Sequence, residues 1–444
     1  MKHIIFTLFL LLALASLPAE PTCHPLTTIA EACVMQDHAA SITGLQYLLN
    51  IENTTTRGEL IVTRLYHNSG DLSSPSVENR FAHHMATQLP TVVFNGALRF
   101  LGPAPEITYS ETVDVLKYKQ APVKMEITNF NTGSGAASVA ITRLDPDLEA
   151  ATYQIVWFLV ENEVGTATEV TRLIDYQIIT LPTVGSQMTY TNNFTINPAW
   201  NAANLWLIAS LEKNGSHIMQ SASTLPLPVY DIRCTFDWDA AALVGEPSSV
   251  FNSEMLWFFN TGAAESFEMQ LVVDDAPADW FFNYCDEEGN CYPGSMPLPL
   301  ILTEGEAKNF HLNLWIGSTG IARFHYLVTS PNLGSFTVPF ACRSSDYVSA
   351  SDPVLVSPLR LDANYPNPFR GSTTFAIESD KANLYSGIEI FNLRGQKVDE
   401  IPIQNLLQGS NQIAWQAPAE LPSGIYFFRL KDRPDSLRKM IYSK

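Results

Sequence analysis

Ile388-Glu389-Ile390-Phe391-Asn392-Leu393-Arg394-Gly395-Gln396-Lys397-Val398 reads as two alternating strands around a tight turn, and it decides the fold of the C-terminal part of the chain. Apolar and polar residues alternate with period two on both sides, and Asn392-Leu393-Arg394-Gly395 supplies hairpin turn chemistry. Upstream, Asn364-Tyr365-Pro366-Asn367-Pro368-Phe369 cannot continue a helix, because its prolines hold the chain extended. Ser372-Thr373-Thr374-Phe375-Ala376-Ile377 follows as another strand. Downstream come Gly409-Ser410-Asn411-Gln412-Ile413-Ala414-Trp415 and a second tight turn, Leu421-Pro422-Ser423-Gly424. The last hairpin is Ile425-Tyr426-Phe427-Phe428-Arg429-Leu430 with Arg438-Lys439-Met440-Ile441. Short strands joined by turns predict a β-sandwich over 362–444.

The same pattern extends toward the N-terminus. The chain has 444 residues, too many for one core, and is 46% hydrophobic, 11% aromatic and only 16% charged. That composition favours sheet, in two to four domains. The net charge of −19 excludes nucleic acid as a partner, since phosphate repels such a surface. Residues 362–444 carry 10 basic and 9 acidic residues, against 16 and 36 in the rest, so a boundary falls near residue 361. Residues 351–361, SDPVLVSPLRL, read as a linker.

Residues 1–19 begin with Lys2, an apolar run from Ile4 to Ala15 and small residues at a break, the pattern of a secretory signal peptide. The run is shorter than the roughly 20 residues that span a bilayer. Glu20-Pro21-Thr22 before Cys23 is no lipobox. Six cysteines in an exported chain suggest disulfides. Cys285 and Cys291 flank a polar turn, DEEGN, and suit a bridged hairpin. Cys234 and Cys342 sit near the two ends of one candidate domain and would tie it shut, which leaves Cys23 and Cys33 as a third pair.

Residues 20–112 hold the clearest helix signals. Ile42, Leu45 and Leu49 recur at helical spacing, and Ser74-Pro75 reads as an N-cap and first turn, with Val77, Phe81 and Met85 as the buried stripe. With strand-like runs at Glu59–Tyr66 and Thr91–Leu101, the order is helix, strand, helix, strand, a small α/β layer. Residues 113–232 read as a β-sandwich, with strands at Val123–Thr128, Tyr153–Glu161, Thr168–Ile179 and Leu205–Leu211. Residues 233–350 read as an Ig-like β-sandwich, with strands at Ser253–Asn260, Ser266–Val273, Ala307–Trp315 and Ala322–Thr329, and with Trp280 as a core residue between its sheets.

The C-terminal blocks resemble, over their full length, the type A C-terminal sorting domain of the type IX secretion system. The resemblance rests on Tyr365, Pro366, Asn367, Pro368, Phe369, Gly395, Gly424, Tyr426 and Lys439. It implies an Ig-like sandwich read by the outer-membrane translocon and cleaved by its sorting peptidase, with the cargo attached to surface lipopolysaccharide. The implied location is the cell surface or the medium, reached through the periplasm.

Leu89-Pro90-Thr91-Val92-Val93-Phe94-Asn95-Gly96 resembles the cis-proline strand of thioredoxin-like domains. Glu31-Ala32-Cys33-Val34-Met35-Gln36-Asp37-His38 is similar to the WCxxC site and following helix, with Gln36 in place of the second cysteine and Ala32 in place of the tryptophan. Cys33, Gln36 and Pro90 therefore mark a degenerate redox site that lacks the resolving thiol. Residues 26–225 look like the outer-membrane-protein family named for its twenty-eight-kilodalton member, in which a thioredoxin-like region precedes a β-sandwich.

Asp286, Glu287, Glu288 and Asn290 read as a solvated acidic turn rather than a calcium loop. His83 and His84 are adjacent on a helix and cannot form an i,i+4 metal pair. The sequence carries no HExxH, GxSxG or phosphate-binding glycine loop. The expectation is a non-catalytic cell-surface binding or interaction module without metal or cofactor, its ligand unnamed. Two alternatives stay open: a thiol-based redox protein or chaperone using Cys33, and a hydrolase with a site assembled across the sandwiches.

Overall fold

The computed structural model describes residues 21–347, 359–361, 364–379, 384–392, 397–406, 409–418, 421–431, 436 and 438–444. The expected signal segment 1–19, most of the linker 351–361 and Gly395 lie outside the described residues. The protein is mainly β. The front of the chain forms β1 (His24–Pro25), β2 (Thr28–Val34), α1 (Ala39–Glu52), β3 (Leu60–Tyr66), α2 (Pro75–His83), β4 (Thr91–Phe94), β5 (Leu98–Leu101) and α3 (Glu106–Leu116). β2 and β3 are parallel, β4 runs antiparallel to β2, and β5 closes a hairpin on β4. The Leu89–Pro90 peptide ahead of β4 is cis, as the sequence leads one to expect.

Next come β6 (Gln120–Ala121), β7 (Val123–Phe130), β8 (Ala136–Arg143), β9 (Tyr153–Glu161), β10 (Val170–Ile179), β11 (Gln187–Asn193), β12 (Leu205–Lys213) and β13 (His217–Ser223). Residue 112, where the sequence suggests a boundary, falls inside α3. One sheet of order β13-β12-β9-β10-β3-β2-β4-β5 runs through both segments, joined where β10 lies parallel to β3 at Val170 and Arg64. On one face, α1 and α3 cover Ala30, Val62, Val92 and Phe94, and the three-stranded sheet β11-β8-β7 covers Ile155, Trp157 and Leu207. On the other face α2 packs Val77 and Phe81 against Ile29, Ile61, Phe158 and Ile208.

Local chemistry explains the helices. Ser74 Oγ accepts from the Val77 amide at 3.4 Å, and Pro75 fills the first turn of α2. His38 caps α1 through Nδ1, which accepts from the Ser41 amide. Helix α1 is rotated relative to expectation: Ser41, Gly44, Leu48 and Ile51 face inward, while Ile42 and Leu49 are exposed. The reason is Pro90, whose Cγ would lie 2.6 Å from a Cβ at position 44, so only glycine lets the helix seat there. Met85 is not part of the buried stripe, because α2 ends before it and the residue turns outward at φ 47°.

The third unit contains β14 (Ile232–Thr235), β15 (Leu243–Gly245), β16 (Ser249–Asn252), β17 (Leu256–Asn260), β18 (Glu265–Asp275), β19 (Phe281–Asp286), β20 (Cys291–Pro293), β21 (Leu298–Leu302), β22 (Ala307–Ile316), β23 (Ile321–Ser330) and β24 (Gly334–Ser344). Two sheets, β14-β17-β22-β19-β20 with β16 added against β22, and β15-β24-β23-β18-β21, enclose Phe258, Tyr284, Phe310, Phe324 and Tyr326. Trp280 is buried in this core and donates through Nε1 to the Ser318 carbonyl at 2.8 Å.

Cys285 and Cys291 form a disulfide across the β19–β20 hairpin. The other four cysteines are free and buried, so neither further bridge is present. Cys234 and Cys342 lie on opposite sheets, in β14 and β24, as two small apolar members of one core. Cys23 packs on Trp257 and Phe259 of the third unit, whereas Cys33 is inside the α2 side of the front sheet. Peptide mapping without reduction should recover Cys285 joined to Cys291 and no other pair. Cys291→Ser should cost about 2 kcal/mol, from the entropy of so short a loop.

The C-terminal unit comprises β25 (Leu359–Leu361), β26 (Ser372–Ser379), β27 (Leu384–Asn392), β28 (Lys397–Leu406), β29 (Gly409–Gln416), β30 (Gly424–Leu430) and β31 (Arg438–Tyr442). Its sheets β25-β26-β29 and β28-β27-β30-β31 close over Phe369, Phe375, Ile388, Ile390, Trp415, Phe428 and Met440. The β27 and β28 strands that flank the expected turn pair antiparallel.

Candidate functional site

The segment that opens the C-terminal unit is a clamp. Asn364 Nδ2 donates to the Pro366 carbonyl at 3.1 Å and to Thr373 Oγ1 at 3.0 Å, and Thr373 Oγ1 donates to the same carbonyl at 2.8 Å. Asn367 reaches the last strand from both ends of its amide: Nδ2 donates to the Lys439 carbonyl at 3.2 Å, and Oδ1 accepts from the Ile441 amide at 2.9 Å. Phe369 is buried against Trp415 and Tyr442, and its amide donates to the Ile441 carbonyl at 3.0 Å. Tyr365–Pro366 and Asn367–Pro368 are both cis.

This clamp presents a fixed surface. Tyr365 is 82% exposed, and Pro366, Asn367 and Pro368 face solvent beside the exposed Lys439 on the edge strand β31. Tyr426 is buried and donates its hydroxyl to the Pro422 carbonyl at 2.7 Å, which locks the turn before β30. Gly424 pairs with Tyr442 at the start of that strand. The motif residues therefore divide into an exposed ridge and the buried anchors that hold it. Asn367→Ala removes two hydrogen bonds to β31 and should lower the stability of this unit by about 2 kcal/mol, read as a fall in its denaturation midpoint.

The degenerate redox residues are not brought together as thioredoxin chemistry requires. Cys33 lies within β2, paired with Thr91, and not at the start of α1. Its side chain points to the α2 face, away from α1, and is fully buried. Burial, reinforced by the Glu31 carboxylate, pushes its thiol pKa well above the ordinary value. Gln36 is in the turn before α1, its amide donating to Ser69 Oγ at 3.0 Å. Pro90 touches Gly44 one turn into the helix. The physical reason is that β2 extends through Val34, so Cys33 obeys strand alternation instead of helix capping.

Beside Cys33 lies a buried charge cluster. Arg80 donates through Nε and Nη2 to the two Glu31 oxygens at 2.7 Å each, and through Nη1 to Glu212 Oε1 at 2.8 Å. His84 Nε2 lies 2.9 Å from Glu31 Oε2, and the Arg80 guanidinium sits over the Phe158 ring. Burial raises the Glu31 pKa, but the charges of Arg80 and His84 and their hydrogen bonds outweigh it and hold the carboxyl far below the usual range. A second cluster joins Glu52 and Arg57 to Arg64 and Glu169, and there burial and the neighbouring Glu169 push Glu52 up to about 7. Sequence reasoning missed both clusters. The local trace of the first is the pair Arg80 and His84, one turn apart at the C-terminal end of α2.

His83 points elsewhere from His84, and only His84 joins the cluster. The acidic turn is closed on itself: Asp286 Oδ1 accepts from the Glu288 and Asn290 amides at 3.1 and 2.8 Å, and Oδ2 accepts from Asn290 Nδ2 and from the Tyr292 hydroxyl. Burial opposes ionisation of Asp286, but these hydrogen bonds hold its pKa below the ordinary value. Clefts also open at the seams between described elements. One of about 830 Å³ has a mixed lining in which Arg57, Asp231 and Arg233 stand beside Met125, Ile127 and Leu227, and one of about 990 Å³ is bounded by Tyr118, Phe236, Trp238 and Phe340.

The family model described as a secretion system C-terminal sorting domain matches residues 363–443. Among solved structures the chain is similar to HBP35 of Porphyromonas gingivalis, at 9% identity and a TM-score of 0.38, over 72% of this chain and 98% of that one. It is similar to dimeric latent PorU from Porphyromonas gingivalis at 13% identity and 0.17, over 72% and 34%. The N-terminal domain of PorA gives 8% and 0.21, over 27% and 100%. No curated protein matches the chain. The clamp and its ridge thus belong to a sorting domain, which engages the type IX secretion machinery and directs export to the cell surface or the medium. No described helix is long and apolar enough to cross a membrane.

Proposed function

We propose, from the premise of a sorting domain at 363–443, that the cargo ahead of it is a non-catalytic binding module worn on the cell surface. The observation that supports this most is the state of Cys33: fully buried, with its thiol pKa pushed up, it is a core residue with no route to a substrate. The two charge clusters support it as well, because each carboxylate in them is already paired with an arginine. Removal of the tail by a sorting peptidase and attachment of the cargo to surface lipopolysaccharide belong to the same proposal, on the family resemblance alone.

Insulin reduction by the purified protein should stay at the background set by free thiol. Cys33 should resist alkylation in native protein and react once it is unfolded. Gln36→Cys should create no turnover, because its partner thiol points through the opposite face of the sheet. Insulin turnover that disappears in Cys33→Ser would restore the redox alternative.

A further inference from the structure

Part of the outer face of the third unit sets exposed apolar and aromatic side chains beside a row of amides. Strand β22 turns Phe310, Leu312, Leu314 and Ile316 into the core, so Asn309, His311, Asn313 and Trp315 point outward. Trp315 is directly opposite Val250 on β16 and Phe281 on β19, and the three form one cross-strand row. They are 39%, 54% and 63% exposed. One step along, Asn313 is opposite Asn252 and Asn283, and Asn313 Nδ2 donates to Asn252 Oδ1 at 2.6 Å. The next outward position on β22 is His311, whose buried Nδ1 has no hydrogen-bond partner among the described residues. On β17 the same face is covered, Trp257 and Phe259 lying under Cys23 and His24.

The open part is therefore an apolar aromatic row beside an amide row, with no charged side chain in either. Amides both donate and accept, which suits hydroxyl groups. Aromatic faces suit the apolar C–H face of a sugar ring, and the absence of charge gives an anionic partner nothing to pair with. Size separates the remaining candidates. Three strands at about 4.8 Å spacing and two rows about 7 Å apart give a footprint of roughly 10 by 7 Å. A stable protein interface needs about 800 Å² per partner, far more than this. One or two sugar rings fit it.

We infer that this face binds a neutral hexose-containing glycan, with a ring stacked on Trp315 and Phe281 and its hydroxyls hydrogen-bonded to Asn313, Asn252 and Asn283. The inference rests on the reading of the cargo as a binding module and names its ligand class. Affinity electrophoresis of the mature protein through gels containing dextran, mannan, galactan or β-glucan tests it. At least one should retard the wild type. Trp315→Ala and Phe281→Ala should each weaken retardation about tenfold, Asn313→Ala less, and Trp315→Phe should retain most of it. Ile301→Ala, an exposed apolar position on the other sheet, should change nothing. Melting curves and the intact Cys285–Cys291 bridge exclude misfolding as the cause of a loss. The proposal is overturned if no neutral polysaccharide retards the protein, if only a sulfated dextran does, or if Trp315→Ala binds like wild type. It is also overturned if Trp315→Ala abolishes only self-association in sedimentation. Release of reducing ends from the bound polysaccharide would leave the face standing and sink the non-catalytic reading, so the two failures are distinguishable.

Discussion

Deletion of residues 362–444 is expected to abolish surface display and leave the cargo in the periplasm of a host that carries the secretion machinery. The effect should be near-complete, because the sorting domain is the part of the chain that engages the secretion machinery. The deletion should not unfold the cargo. The front and third units have their own cores, and the described residues of the tail close a separate one around Phe375, Ile390 and Phe428. The reciprocal experiment grafts 362–444 onto a periplasmic reporter, which should then reach the surface. Surface labelling and protease shaving of intact cells read both. Normal display of the truncated protein would refute the assignment. A finer variant, Tyr365→Ala, removes an exposed ring without touching the buried anchors, so it should reduce export while leaving the domain's melting unchanged.

Arg80→Met should destabilise the front of the molecule by about 3–5 kcal/mol, the cost of leaving buried carboxylates without their cation. The methionine can still pack on Phe158, so the loss is mainly electrostatic. The pH dependence identifies the cause. In the wild type the Glu31 pKa is depressed, so its stabilisation is complete above the ordinary carboxylate value of about 4.3 and is lost as pH falls below that. Without Arg80, burial dominates and the Glu31 pKa rises above its unfolded value. The sign then reverses: the variant is most stable at low pH and loses stability as pH increases. The gap between variant and wild type should therefore shrink between pH 8 and pH 5, measured as the first denaturant midpoint. Parallel pH curves for the two proteins would show that Arg80 acts through packing alone. Glu31→Gln added to Arg80→Met should recover part of the loss at pH 8.

Much of the molecule was legible because its signals are local. Tyr153–Glu161 is a nearly continuous apolar run, buried on both faces of its sheet, and the β19–β20 hairpin brings Cys285 and Cys291 together across a six-residue separation. Ser74-Pro75 marks the start of α2 by its own capping chemistry. What failed were inferences about which face a residue takes. Ile42 and Leu49 have correct helical spacing, yet the contact between Gly44 and Pro90, far apart in the chain, sets the rotation of α1. The third helix, Glu106–Leu116, escaped notice, since only Tyr109 and Val113 are buried on it and its periodicity is weak.

By itself the sequence determined the strand-rich class, the export tail and the hairpin bridge, because each depends on residues within one turn, one hairpin or one block of motif. Only the tertiary structure decided that Cys33 is a buried core thiol. Strand β2 runs past it and aims it at α2, which no spacing around Cys33 reveals. Only the tertiary structure joined Glu31, Arg80 and Glu212 into one ion cluster, and likewise Val250, Phe281 and Trp315 into one exposed row. Strand pairing between distant segments sets those neighbours, and a burial that withdraws charge from water makes sense only once every partner is in place.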